Sequence, residues 1–331
     1  MYKVIVAKEY KNDEAIFVEE YSLEELRKGL DEKNFIVKVH ASPLNHLDKN
    51  KLLGYIFTVK CPFTPGSEAS GIVVESHKKD LIGKKVVVSV QTGTWKEYLL
   101  ATEENTIFLN DDAELDSASC GFVNPLTAVG LIYQAQKYNA KAIVNIAAQS
   151  ALGKMINDLA KHFGLNCLNV IRGDESRIHS LIKEYENENF ISTDQDPQQF
   201  QKQFKELAEK LQATVAFDPV GGSLTGQIFN NLPQNSILIA YGTLSQKDIE
   251  GINGVQLRWA NKRLEGFMLY GWMSSISEQD RKKSKELVQQ KINTIFKTQI
   301  HTSYQINQYK EALDLLRKIQ GGKKVIFKMI H

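Results

Sequence analysis

Residues 145–153 read NIAAQSALG, between the apolar run AIV and the helix-patterned segment KMINDLAKHFG that begins at Lys154. A strand, a tight bend and a helix in that order make the first half of a βαβ unit. A dinucleotide pyrophosphate bound at such a bend needs a tight turn, close backbone approach and the free N–H groups of a helix N-terminus. Three glycines usually meet that need. Here Ala148 and Ser150 stand in the first two places and Gly153 in the third. Alanine or serine suffices where φ stays negative and crowding is mild. On this reading Gly153 keeps helix and strand close, Ala151 opens the helix, and Ser150 adds a hydroxyl able to donate to phosphate. The pattern A-x-S-x-x-G is weak by itself. Its context strengthens it, because a strand precedes, an amphipathic helix follows, and a second apolar run, LNCLNVI, comes next.

Where that second run ends, about 20 residues beyond Gly153, an acidic residue usually takes the ribose 2′-hydroxyl of NAD. This chain has Arg172. An acid there repels a 2′-phosphate, whereas a guanidinium forks onto one. Arg172, with Ser176 and Arg177 as helpers, therefore argues for NADPH over NADH. The competing reading makes Arg172 a solvated charge at a strand end.

The totals fit a soluble globular protein. Of 331 residues, 42% are apolar and 24% charged, with 41 basic and 39 acidic side chains spread along the chain. No basic block implies nucleic acid or an anionic membrane. No window approaches the roughly 18 unbroken apolar residues of a membrane helix. Cys61, Cys120 and Cys167 are far apart, so neither a disulfide framework nor a cysteine-built zinc site is expected. Together with an N-terminus that alternates like a strand, this points to the cytoplasm.

The first 120 or so residues carry short β-branched runs, YKVIVA, FIVKVHA, GIVVES and KKVVVSV, with a brief helix at YSLEELRKGL capped by Ser22. Near Asn124 the pattern changes to apolar runs alternating with amphipathic segments, which implies a parallel sheet covered on both faces. The fold class expected is α/β: a Rossmann doubly wound parallel sheet plus a mostly antiparallel β domain. The boundaries are residues 1–123 for the β domain, completed by about 273–331, and 124–272 for the nucleotide domain.

The succession GTWKEYLLA, FVNPLTA, the turn at 145–153, VAFDPVGG, YGTLS and LEGFMLYGW resembles the zinc-free medium-chain dehydrogenase/reductases. It is most similar to the quinone oxidoreductase-like proteins and the mitochondrial-type 2-enoyl thioester reductases, which also use serine in the turn and arginine after the second strand. The resemblance implies a GroES-like β-barrel for the first domain and hydride transfer from NADPH to a polarised C=C or a quinone. Zinc enzymes of this superfamily place a Cys where this chain has LNHLD and a G-H-E where it has PGSEASG; Glu68 alone cannot hold zinc, and His46 reads as a loop residue. No metal is expected.

In the enoyl reductases a tyrosine follows an N-x-x-D motif and a glycine. Asn45 and Asp48 match N-x-x-D, and Tyr55 follows Gly54, in a loop one residue shorter than usual. A phenol of pKa about 10 is a sensible acid for an enolate carbon, so Tyr55 is the candidate acid. The alternative is an aromatic packed on the loop or on substrate, with Phe57 as apolar lining. The family brings Asn45 and Thr127 near the nicotinamide. Asn124 matches the enoyl reductase pattern or caps a helix ahead of Pro125. Tyr241 and Gly242 end a strand on the side where open α/β sheets bind ligands. Trp95 and Tyr98 read as β-domain core. Two functions follow: an NADPH-dependent reductase of an enoyl thioester, enone or quinone, or a noncatalytic nucleotide-binding or structural subunit that keeps the fold. RLEGFMLYGWM is expected as the last strand of the parallel sheet, an apolar edge covered in a homodimer. The other partner is a small-molecule substrate.

Overall fold

In the computed structural model, all residues are described except 12, 56–58, 91, 319–321 and 330–331. The chain forms two compact units, Met1–Leu126 with Gln279–His331, and Thr127–Glu278. In the first, strands β1 (Tyr2–Ala7), β2 (Ile16–Tyr21), β3 (Asn34–Pro43), β4 (Ala69–Ser76), β5 (Lys85–Val88), β6 (Tyr98–Thr102) and β7 (Thr106–Phe108) are joined by α1 (Leu23–Lys28), α2 (His46–Leu52) and α3 (Leu115–Ala118). Helix α4 (Val123–Lys137) leads into the second unit, with strands β8 (Ala142–Ile146), β9 (Asn166–Ile171), β10 (Phe190–Ser192), β11 (Ala213–Asp218), β12 (Ile237–Ala240) and β13 (Arg263–Gly266). Its other helices are α5 (Ala151–His162), α6 (Glu175–Tyr185), α7 (Pro197–Leu211), α8 (Gly222–Asn231), α9 (Gly254–Trp259) and α10 (Leu269–Ser275). The chain then returns through α11 (Glu278–Lys291), β14 (Ile300–Gln305), α12 (Tyr309–Lys318) and β15 (Lys324–Lys328).

The second unit is a six-stranded sheet, ordered β10-β9-β8-β11-β12-β13 and parallel throughout. That is the Rossmann order, with its topological switch between β8 and β11. Strand β8 is buried at every position, as a strand covered on both faces must be. Phe200 and Phe204 of α7 pack with Phe229 of α8 and Leu238 of β12 in one core cluster.

In the first unit β3 is the hub. It pairs antiparallel with β4, β6 and β15. The last strand of the chain, β15, thus lies beside β3 and pairs parallel with β14. Trp95 is fully buried, meets Phe327 edge-on at 5.0 Å between ring centroids, and donates from Nε1 to the Pro43 carbonyl. Tyr98 is half-buried against Tyr2.

Three sequence readings change. The loop SPLNHLDKN contains α2, because Asp48 accepts from the Asn45 backbone N–H at 2.9 Å and starts a helix. Helix α4 begins at Val123, so Asn124 lies in its first turn and is not its cap. RLEGFMLYGWM is strand only to Gly266; the chain turns at Met268 into α10, and β13 is a short edge with three of its four residues exposed.

The turn after β8 is close-packed. A Cβ on Gly153 would come within 2.6 Å of the Ala147 carbonyl oxygen and 2.7 Å of the Ala148 Cα, both backbone atoms that cannot yield. Gly254, at the start of α9, has nothing within 4 Å of the same position. Gly153→Ala is therefore expected to destabilise the protein by about 1–3 kcal/mol through overpacking. Gly254→Ala is expected to leave the denaturant midpoint unchanged. Equal midpoints for the two variants would refute the close approach.

Candidate active site

The expected cofactor residues of the second unit sit at the carboxyl ends of three parallel strands. Ala148, Ser150, Ala151 and Gly153 follow β8; Arg172, Ser176 and Arg177 follow β9; Tyr241 and Gly242 follow β12. Ser150 is the N-cap of α5, with φ −70°, and its Oγ accepts from Gly153 N at 3.0 Å. As acceptor in that bond, the hydroxyl keeps its own proton to donate outward. The N–H groups of Ala151 and Leu152 precede that bond and are the ones an anion at the helix end would meet. The left-handed residue of the turn is Ala147, at φ 56°, one place ahead of the motif. The turn therefore does not keep φ negative throughout, and an alanine in that region costs roughly 1–2 kcal/mol.

Several side chains that pattern reading passed over hold this turn. Gln149 donates from Nε2 to the Arg172 carbonyl and accepts from Arg177 Nε at 3.2 Å, joining the two loops. Asn145 Nδ2 donates to the Gly153 carbonyl at 2.8 Å and to Asn169 Oδ1 at 3.0 Å, tying β8 to α5 and β9. Tyr185 OH donates to the Ala148 carbonyl at 2.7 Å. An asparagine inside an apolar strand was the available signal. The guanidiniums of Arg172 and Arg177 are exposed, and among the described residues neither has a carboxylate within ion-pair distance. Ser176 is exposed in the first turn of α6.

Beyond β12, Gly242 is explained within the unit, since a Cβ there would lie 2.9 Å from the Pro219 carbonyl oxygen. The Tyr241 hydroxyl is buried with no hydrogen-bond partner among the described residues. Burial, and then the nearby Asp218 carboxylate, push its pKa up, so it stays protonated as an unused donor. An orphaned donor beside a turn closed by one glycine suits a polar ligand at the strand ends.

The first unit holds a buried polar cluster. Glu68 Oε2 accepts from the backbone N–H groups of Phe122 and Val123, both at 2.8 Å, and so caps α4. Glu68 Oε1 accepts from Asn45 Nδ2 at 2.9 Å. Lys324 of β15 donates to Asn45 Oδ1 at 2.5 Å, and Asp48 accepts from Ser67 Oγ at 2.5 Å. Burial raises both carboxyl pKa values on balance, against the opposing pull of Lys51 on Asp48, of these hydrogen bonds and of the Lys324 charge. Cys120, buried nearby, has its thiol pushed up to about 12 by burial and then by the Glu68 charge, so it remains an unreactive thiol. His46 is exposed at the start of α2. Among the described residues no group of three His, Cys, Asp or Glu is placed to hold a metal ion.

Asn45 and the start of α4, which carries Asn124, thus meet through Glu68 within the first unit. Tyr55 stands outside that network. It is 53% exposed, with Lys11 Nζ 5.7 Å from its ring centroid. Phe57 lies outside the described residues. Lys324 went unread in the sequence because it is 279 residues from Asn45, and only strand pairing brings the two together.

Residues 31–124 match the family described as alcohol dehydrogenase GroES-like domain. The mitochondrial enoyl-[acyl-carrier-protein] reductase of Xenopus tropicalis is 25% identical over 259 residues, covering 76% of this chain and 73% of the relative. An NADPH quinone oxidoreductase of Kluyveromyces marxianus is 25% identical over 284 residues, covering 79% and 73%. The Escherichia coli quinone oxidoreductase solved with NADPH superposes with a TM-score of 0.82 at 18% identity, covering 98% of this chain and 99% of that one, which shows a shared fold.

Proposed function

We propose that this chain is a quinone oxidoreductase-like medium-chain dehydrogenase/reductase and an NADPH-dependent reductase of an activated C=C or a quinone. One observation carries the cofactor assignment. At the carboxyl ends of β8 and β9, a Ser150-capped helix N-terminus is joined by Gln149 to the Arg172 backbone carbonyl and the Arg177 guanidinium, and the Arg172 guanidinium is exposed beside them. This is a seat for a pyrophosphate with a further phosphate beside it. The names of two relatives, both including NADPH, support the same reading.

When bound, NADPH supplies a hydride to an electron-poor carbon. The chain does the rest. The N–H groups of Ala151 and Leu152 and the Ser150 hydroxyl receive the pyrophosphate, and Arg172, Ser176 and Arg177 receive the 2′-phosphate. Asn45 and Asn124 in the first unit and Thr127 in the second are each assigned to the nicotinamide by the family resemblance, and Tyr241 and Gly242, after β12, would offer it their strand end. Tyr55 gives its phenolic proton to the carbon left anionic by hydride addition to an enoyl thioester. A quinone needs no such dedicated acid, because its oxygens take protons from water. The enoyl reductases among the relatives support the first substrate, and the quinone oxidoreductases support the second.

The chain is proposed to form a homodimer through β13, where Leu264 is exposed on an edge strand and Met268 is exposed two residues beyond its end. No helix of the described residues is long and apolar enough to cross a membrane. We assign the protein to the cytoplasm, although the enoyl reductases it aligns with carry mitochondrial names.

Three outcomes are expected. Arg172→Ala weakens NADPH binding about 10- to 100-fold, the loss of one charged hydrogen bond, and leaves NADH affinity unchanged; fluorescence titration with both coenzymes reads this, and equal weakening of the two removes the phosphate role. Tyr55→Phe lowers crotonyl-thioester reduction by about 10²-fold or more while quinone reduction by the same preparation holds, whereas parallel loss with both acceptors sinks the proton-donor assignment. Sedimentation equilibrium gives twice the 37.4 kDa chain mass, and Leu264→Arg gives the single chain. A monomeric wild type rules out the dimer.

A further inference from the structure

We propose that Lys324, from the last strand of the chain, is a positioning residue for the reductase: it fixes the orientation of the Asn45 amide. This rests on the reductase reading above.

The argument starts from the shape of an amide. The oxygen and nitrogen ends of an asparagine side chain are nearly equal in size, so packing hardly distinguishes them, and only hydrogen bonding does. Asn45 is 4% exposed, so water does not settle the choice. Its two ends meet groups of opposite character. Glu68 Oε1 accepts and takes Nδ2 at 2.9 Å, while the Lys324 ammonium can only donate and takes Oδ1 at 2.5 Å. A flipped amide would set NH₂ against an ammonium and oxygen against a carboxylate. The two ionic groups therefore allow one orientation only.

That orientation has a consequence for chemistry. With one Nδ2 hydrogen committed to Glu68, the other points along a fixed direction, as a catalytic or orienting donor must. Glu68 also caps the first turn of α4, the helix of Asn124 and Thr127. The Lys324 charge lies close enough to favour the ionised forms of Glu68 and Asp48. Strand β15 reaches this place because Ile326, Phe327 and Lys328 pair with Pro43, Ser42 and Ala41 of β3. Leu44, one residue before Asn45, also donates its N–H to the Val325 carbonyl at 3.0 Å. Lys324 thus enters from a strand bonded to the segment that carries Asn45.

A double-mutant cycle tests this on the full-length protein. NADPH oxidation with the best of a panel of enoyl thioesters and quinones is measured for wild type, Lys324→Met, Asn45→Ala and the double variant. Lys324→Met is expected to lower kcat about 10- to 100-fold, the effect of a misplaced group, with the KM for NADPH moving less than about threefold. Asn45→Ala should fall by a similar factor. The double variant should be no slower than Asn45→Ala alone, because the lysine acts through the amide. Lys324→Arg, which keeps a cationic donor, should recover most of the rate. Should Lys324→Met not fold, Lys324→Gln, a neutral donor, takes its place in the cycle and is expected to be slower than Lys324→Arg. Losses that multiply in the double variant, or a Lys324→Met rate equal to wild type, overturn the proposal while leaving the reductase reading intact. A wild type that fails to oxidise NADPH with every acceptor of the panel overturns both.

Discussion

Glu68 accepts hydrogen bonds from Phe122 N, Val123 N and Asn45 Nδ2, all within 2.9 Å, at a position with no solvent exposure. A carboxylate so placed is tolerated only because each oxygen is met by donors and a cation stands one amide away. Those donors come from segments far apart in sequence. The turn between β3 and α2, the start of α4 and, through Asn45, the final strand are all fixed by one side chain. Deleting such a group would leave two buried N–H groups and an amide unpaired, the costly direction of the hydrogen-bond asymmetry. The polar centre of the first unit is thus also its joinery, and the residues nearest in kind to catalytic ones double as structural ones.

The second unit meets a different constraint with the same economy of parts. A turn that usually has three glycines has one, at a place where a Cβ would strike backbone. The left-handed position is taken by Ala147, a strained choice. Polar bonds hold it there: Tyr185 to the Ala148 carbonyl, Asn145 to the Gly153 carbonyl, and Gln149 to the Arg172 carbonyl. Asparagines at 145, 157 and 169 are buried and continue this network beneath α5, with Asn169 Nδ2 donating to Asn157 Oδ1 at 3.0 Å. The glycine-poor spelling is therefore matched by side chains that take over the work of positioning.

Legibility differed between the two units for a physical reason. The Rossmann half announced itself because each buried parallel strand is a continuous apolar run and each helix an amphipathic one, so periodicity alone gave the order of elements. The places of Ser150, Gly153 and Arg172 in the fold were legible with it, since the strand and helix ends that carry them are set by neighbours in sequence. The hidden parts were those fixed by distant pairing or by local competition. Helix α2 hid in a loop-like composition because its start depends on a carboxylate bonding back three residues. The strand expected across RLEGFMLYGWM stopped at Gly266, because its partner β12 ends at Ala240, the residue opposite Gly266. Strand β14 was missed since its half-exposed alternation carries little apolar signal.

The sequence by itself determined the α/β class, the turn after β8, the guanidinium at the end of β9 and the family resemblance, because all of these are written in residues that lie within one supersecondary unit. Only the tertiary structure decided that Glu68 caps α4, that Gln149 joins the loops after β8 and β9, and that Lys324 faces Asn45. Those three contacts depend on antiparallel and parallel registers between segments as much as 279 residues apart. Strand pairing, unlike helical or turn geometry, leaves no mark in the spacing of the residues it brings together.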